Sequence, residues 1–172
     1  MGEAVVNMQN WGIMNAPERI EHFYSLQRSE AEDLFLSISP PDQLELLLSL
    51  PYLERRSWLR FLEPDDAADL VQEADEEDRP GFLALLDAVT QKEVTALLAY
   101  AQDEAGGLMN PRFARVRPDM TVDEAIRYLR RQAPHVETIH YGYVLDHHQV
   151  LLGIISLRAI FSADPNALVS DV

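Results

Sequence analysis

The sequence predicts a chain in two parts: a mainly α superhelical domain of short stacked helices, then a small α+β unit of βαββα order. Three observations carry this. Apolar residues recur every 12 positions between residues 34 and 98, strand-like alternation replaces that period after residue 138, and Gly106-Gly107 with Pro111 stands between the two regimes.

Residues 1–16 show neither period nor caps and read as a flexible start, although Trp11 and Ile13 are large enough to dock. The helical stack is expected over residues 17–102. Leu34, Leu46, Trp58, Leu70, Phe82 and Val94 form one apolar column, and Ile38, Leu50, Leu62, Ala74, Leu86 and Leu98 form a second. Polar starts separate the units: Ser39-Pro40-Pro41-Asp42, Pro51-Tyr52-Leu53-Glu54, Glu63-Pro64-Asp65-Asp66 and Asp75-Glu76-Glu77-Asp78. Proline is tolerated in a first helical turn, and acids there complement the positive helix end. A unit with room for about 8 or 9 helical residues cannot cover its own apolar face, so successive helices must stack. Both columns are therefore assigned to packing rather than to a cofactor.

Residues 103–111 form a junction. Two glycines end a helical pattern by entering the left-handed region without a Cβ penalty, and Pro111 prevents the helix from resuming. Beyond it, residues 113–116 are a short strand candidate, and Thr121-Val122-Asp123-Glu124 opens a helix with a capping box. Val122, Ala125, Ile126 and Leu129 follow helical spacing. Ile139, Tyr141, Tyr143 and Leu145 then alternate with Thr138, His140, Gly142 and Val144, as a strand requires. Asp146-His147-His148-Gln149 supplies a turn, residues 150–156 return as a buried strand, and a short helix follows from Leu157 to about Phe161.

The totals exclude several classes of function. Without cysteine there can be no disulfide, thiolate zinc site or thiol catalysis. A net charge of −15 opposes nucleic acid, which needs a basic stripe to displace phosphate counterions. No run approaches the roughly 18 apolar residues of a spanning helix, and residues 1–6 lack the basic start of a signal peptide. No nucleophile motif or ordered triad is present, so no enzyme is expected. The excess charge is uneven: residues 1–100 carry 20 acids and 7 bases, and residues 63–78 alone hold nine acids and no base. Such a block reads first as a solvated face and second as a landing site for cations.

Asp103-Glu104-Ala105-Gly106-Gly107-Leu108-Met109, the Thr121-Val122-Asp123-Glu124 helix start, Leu129-Arg130-Arg131-Gln132-Ala133-Pro134 and Glu137-Thr138-Ile139 together resemble the cytosolic region of MgtE-type magnesium transporters. The resemblance runs over roughly residues 30–172, and the βαββα order of residues 112–172 resembles a CBS domain. It implies a magnesium-sensing and gating region on the cytoplasmic face of the cell membrane. The partners it implies are a second copy meeting through the CBS-type domain, and a second CBS unit and transmembrane helices of the same chain. On this reading the sequence stops before that second unit. The alternatives are a free-standing CBS-containing interaction adaptor, or an adenosine-nucleotide sensor.

Asp65 and Asp69 lie four apart and so share a helix face, with Asp66 and Glu73 on either side. Like charges at that spacing repel, and a cation would relieve the repulsion. Magnesium wants oxygen ligands, commonly one or two carboxylates plus retained water. The resemblance assigns Asp65 and Asp69, and with a poorer match Asp33, to Mg²⁺ held jointly with the CBS pair. It also implies a nucleotide site at Gly153-Ile154-Ile155-Ser156-Leu157-Arg158-Ala159, where Ala159 stands in place of the acid that would hold ribose hydroxyls. Tyr141 and Arg158 could still offer stacking and phosphate contacts, although strand packing and an exposed cation explain them as well. Adjacent histidines point apart in a turn, so Asp146-His147-His148 reads as an exposed hairpin tip, not a transition-metal site.

Overall fold

A computed structural model describes residues 11–100 and 104–172. Residues 1–10, most of the expected flexible start, and residues 101–103, including Asp103 of the junction, lie outside the described residues. The chain divides into two compact units, Met1–Met109 and Asn110–Val172.

In the first unit seven short helices follow one another among the described residues: α1 (Ala16–Ser25), α2 (Arg28–Ser37), α3 (Pro40–Ser49), α4 (Tyr52–Leu59), α5 (Pro64–Glu73), α6 (Arg79–Leu83) and α7 (Ala88–Leu97). Helices two apart pack on each other, α1 on α3, α3 on α5 and α5 on α7, as a stack of units too short to bury themselves requires. Of the twelve column residues, eleven are buried; Leu98 is half-buried. The two columns do different work. Leu34, Leu46, Trp58, Leu70, Phe82 and Val94 sit within the helices, while Ile38, Leu50 and Ala74 are the extended residues that end α2, α3 and α5. The second column thus pins the turns between helices. Trp58 anchors the centre, its ring 4.9 Å from Phe23, 5.1 Å from Phe35 and 6.0 Å from Phe61, with the Arg28 guanidinium 4.0 Å above it.

Such tight turns leave the last carbonyls of each helix without partners. A second periodic device satisfies several of them. Arg19 Nε donates to the carbonyl of Trp11 (3.2 Å), Gln43 Nε2 to that of Phe35 (2.7 Å) and Arg55 Nε to that of Leu47 (2.8 Å), each eight residues back. Arg79 donates to Gln72 and Ala74 at the end of α5. Positions 19, 43, 55 and 79 keep the 12-residue register of the repeat, which explains the buried amide of Gln43.

Two expectations need correction here. Asp75-Glu76-Glu77-Asp78 does not start a helix in its own first turn. It forms a turn, and α6 follows with only five residues. The glycines of the junction do not end α7 by entering the left-handed region either: among the described residues no glycine has a positive φ. Gly106 is needed for space instead, because a Cβ there would fall 2.4 Å from the ring of Tyr100.

The second unit comprises β1 (Arg115–Val116), α8 (Val122–Gln132), a 3₁₀ turn (Ala133–His135), β2 (Tyr141–Leu145), β3 (Leu151–Ser156), α9 (Leu157–Ser162) and a last 3₁₀ turn (Val169–Asp171). β2 is central, parallel to β1 and antiparallel to β3, with Tyr143 opposite Ile154. The capping box is present: Thr121 Oγ1 accepts from the Glu124 amide, and Glu124 accepts from the Thr121 amide. Gln132 covers the open edge of β1, donating to and accepting from the Arg115 backbone. The alternation of β2 holds through Val144, with Gly142 and Val144 turned inward and not Tyr141 and Tyr143; at the register shift that follows, Leu145 is buried as well. Ile155, Val116 and Leu129 close over Gly142, whose hypothetical Cβ would lie 3.4–3.7 Å from them. The strand expected over residues 113–116 shrinks to its last two residues.

β3 is not the buried strand expected over residues 150–156: of its residues only Ile155 is buried, and the outer sheet face stays apolar and exposed at Tyr141, Leu151 and Ile154. Within the described residues no helix is long and apolar enough to cross a membrane.

Candidate functional site

The acidic residues of interest stand on α5, whose position follows from its own sequence. Pro64 fixes the first turn and is fully buried, and Ala67, Ala68, Leu70 and Val71 pack inward against α3 and α7. Small alanines let the helix approach its neighbours closely. That approach carries Asp65 and Asp69, at the flank of the buried face, part-way out of water, while Asp66 and Glu73 stay exposed.

The burial leaves marks on the carboxylates. Asp65 Oδ1 is buried with no hydrogen-bond partner. An acceptor left so costs about 1–3 kcal/mol, more when charged. Desolvation raises the pKa of Asp69 above the ordinary carboxylate value, and the charges of Asp65 and Glu73, one turn to either side, raise it further. Three carboxylates therefore line one flank of α5 at positions i, i+4 and i+8, in a block without a base from residue 63 to residue 78.

The row is not a finished cage: among the described residues no group of three or more acidic or histidine side chains converges as a metal site. A desolvated, mutually repelling pair of carboxylates fits a hard cation that keeps most of its water and takes its remaining oxygens from elsewhere. Asp33 is exposed on α2, whereas α5 packs on α3 and α7. Glu73 is the residue whose part the sequence understated; its spacing of four from Asp69 was the available signal. The buried oxygen of Asp65 had no signal, since it depends on how deeply Pro64 seats.

Tyr141 and Arg158 are both exposed, Tyr141 opposite Ser156 at the end of the sheet that leads into α9. Ser156 caps α9 by accepting from the Ala159 amide, so its hydroxyl is already engaged. At the far hairpin, Asp146 Oδ1 accepts from the amides of His148 and Val150, both at 2.8 Å, and Gln149 turns the chain with φ 64°. The two imidazoles do not point apart as expected: the ring centroids of His147 and His148 lie 3.9 Å from each other, while the carboxylate of Asp146 holds the turn.

Comparison with known proteins places both units. The family profile of the MgtE intracellular N domain matches residues 11–103, and that of the CBS domain matches residues 105–166. The magnesium transporter MgtE of Thermus thermophilus is 41% identical over 165 residues, 94% of this chain and 37% of that protein. The magnesium transporter MgtE of Enterococcus faecalis is 27% identical over 205 residues, 92% of this chain and 45% of that one. This chain thus spans less than half the length of either relative. Among solved structures, the cytosolic domain of the Mg²⁺ channel MgtE in complex with ATP superimposes with a TM-score of 0.83 at 40% identity, covering 94% of this chain and 66% of that one. The soluble part of a magnesium transporter gives 0.68 at 25% identity, covering 99% and 72%.

Proposed function

The chain belongs to the MgtE family, and from that premise we propose that it is the magnesium-sensing and gating region of a magnesium transporter, working at the cytoplasmic face of the membrane. Its task is binding rather than catalysis. The observation that carries the reading is the carboxylate row on α5, where Asp65 holds an unpartnered buried oxygen beside an Asp69 with a raised pKa. Ionising such a row costs free energy, and a divalent cation recovers it. Magnesium bridges this row to carboxylates of a second CBS unit in the same full-length chain, and the bridged arrangement holds the gate closed. At low magnesium the acidic surfaces repel and separate. Linkage requires the two arrangements to differ in magnesium affinity, and the missing half of the cage supplies that difference.

With only its own carboxylates the chain binds magnesium on the order of millimolar, with Ca²⁺ and Mn²⁺ competing. Changing Asp65 and Asp69 together to Asn should remove most of the calorimetric or spectral response to magnesium, while Asp146→Asn should leave it intact. Equal responses from the double variant and the parent would contradict the assignment.

The second unit pairs with another copy through its exposed apolar sheet face. Leu151 and Ile154 stand out from it, but Val144, which strand alternation alone would have added to the contact, is 8% exposed and belongs to the core. One observation favours a further nucleotide role: the similar cytosolic domain solved in complex with ATP. Tyr141 and Arg158 are the residues available for it. Without an acid at position 159, affinity should be weak, and titration calorimetry giving micromolar ATP binding would overturn that.

A further inference from the structure

The Gly106-Gly107 pair invites reading as the hinge between the two units, and the contacts around it point elsewhere. The ring of Tyr100 covers Gly106 so closely that three of its carbons lie 2.4–2.6 Å from where a Cβ would stand. Gly107 is buried, and the amides of Gly107 and Leu108 both donate to the carbonyl of Glu104, at 2.9 and 3.2 Å. Gly106 is thus folded under the ring of Tyr100, and the turn from Glu104 to Leu108 is closed by its own backbone. On the other side, Asn110 is tied into the second unit. Its Oδ1 accepts from the Arg112 amide at 2.8 Å, and its Nδ2 donates to Glu137 at 3.0 Å. Pro111 further confines the backbone of Asn110 to extended conformations.

Between these two anchorages stand only Leu108 and Met109, 70% and 44% exposed. Among the described residues no hydrogen bond holds Met109, and the one bond of Leu108 restrains its amide but not its ψ. We propose that the pivot between the units is the dipeptide Leu108-Met109, and that Tyr100 over Gly106 is a clasp that keeps the glycine pair rigid. The glycines are there for close approach of a ring, not for backbone freedom. A pivot of two residues turns the units about few torsions, whatever ligand sets their preferred arrangement, and so restricts the paths along which they move.

Backbone ¹⁵N relaxation on the full 172-residue chain tests this. Gly106 and Gly107 should show order parameters near those of rigid backbone, about 0.85, and Met109 should fall below about 0.6. The α-protons of Gly106 should resonate upfield, under the Tyr100 ring, and return toward ordinary values in Tyr100→Leu. In that variant the order parameters of Gly106 and Gly107 should drop while those of Asn110 and Arg112 hold. Glycines as mobile as Met109 in the parent, or a rigid Met109, would overturn the proposal. So would an unshifted Gly106 in the parent, a measurement that needs no variant to fold.

Discussion

The two units solve opposite problems with charge. Residues 1–100 carry 20 acids against 7 bases, whereas residues 110–172 carry seven of each. In the helical unit four side chains of the basic or amide kind, Arg19, Gln43, Arg55 and Arg79, donate to backbone carbonyls, and residues 63–78 contain no base. Ion pairs occur in both: Arg19 with Asp42 at 2.8 Å and Arg28 with Glu32 at 2.6 Å in the helical unit, Arg117 with Asp119 at 3.1 Å and Arg127 with Asp123 at 3.3 Å in the sheet unit. The sheet unit instead leaves apolar surface uncovered, at Tyr141, Leu151 and Ile154. On the proposed function, a cation completes the first unit and a partner surface the second. Each unmet need is a handle for regulation.

The largest way to break the comparison is to remove the centre of one unit and ask whether the other notices. Trp58→Ala should cost the helical unit about 3–5 kcal/mol, a large share of the roughly 5–15 kcal/mol that stabilises a domain, so that it unfolds well before the parent on heating or in denaturant. If the units fold independently, the β2 and β3 amide resonances should survive, and their collapse along with the helices would merge the two regions into one cooperative body. A smaller effect is expected at Gly142→Val, where the new methyls must press on Ile155, Val116 and Leu129. Overpacking of that kind costs about 1–3 kcal/mol, and the loss should appear in the thermal transition of the sheet unit alone.

The legibility of the chain differed between the units for a physical reason. The 12-residue columns were readable because each helix buries against near neighbours in sequence, so local period and tertiary contact coincide. The second column was found as packing residues, but period alone did not tell that Ile38, Leu50 and Ala74 are the extended residues at the helix ends. Asp75-Glu76-Glu77-Asp78 was misread because acids and a following proline signal a helix start. Here Arg79 turns back to the carbonyls of Gln72 and Ala74, and the four residues form the turn between. In the sheet unit, alternation located β2 but not its inward face, since a glycine that is filled by Ile155 and Leu129 carries no hydrophobic signal of its own. At the site, spacing paired Asp65 with Asp69, but no pattern foretells an unpartnered oxygen.

The smallest expected effect sharpens the electrostatic half of the comparison. Asp69→Asn should stabilise the helical unit slightly at neutral pH, because it removes two like-charge contacts at helical spacing worth about 0.2–0.5 kcal/mol each. The folded pKa of Asp69 is raised above its unfolded value, so the fold binds the proton more tightly than the unfolded chain does. Ionisation therefore costs stability above the raised pKa, and that cost is recovered as pH falls through it. The advantage of Asn should accordingly be full at neutral pH and shrink on acidification. Melting curves at several pH values check this; an advantage that grows on acidification would reverse the assigned cause.

The central claim is that α5 is where this chain meets magnesium, and a chemical-shift titration of the unaltered protein tests it most directly. Magnesium added into the millimolar range should shift amides in residues 63–78, most of all near Asp65 and Asp69, and added salt should weaken the effect because exposed charges are screened within about 10 Å. The hairpin turn at Asp146, His147 and His148 should stay still. Shifts confined to that turn, with residues 63–78 unmoved, would place the ion in the other unit and contradict the account.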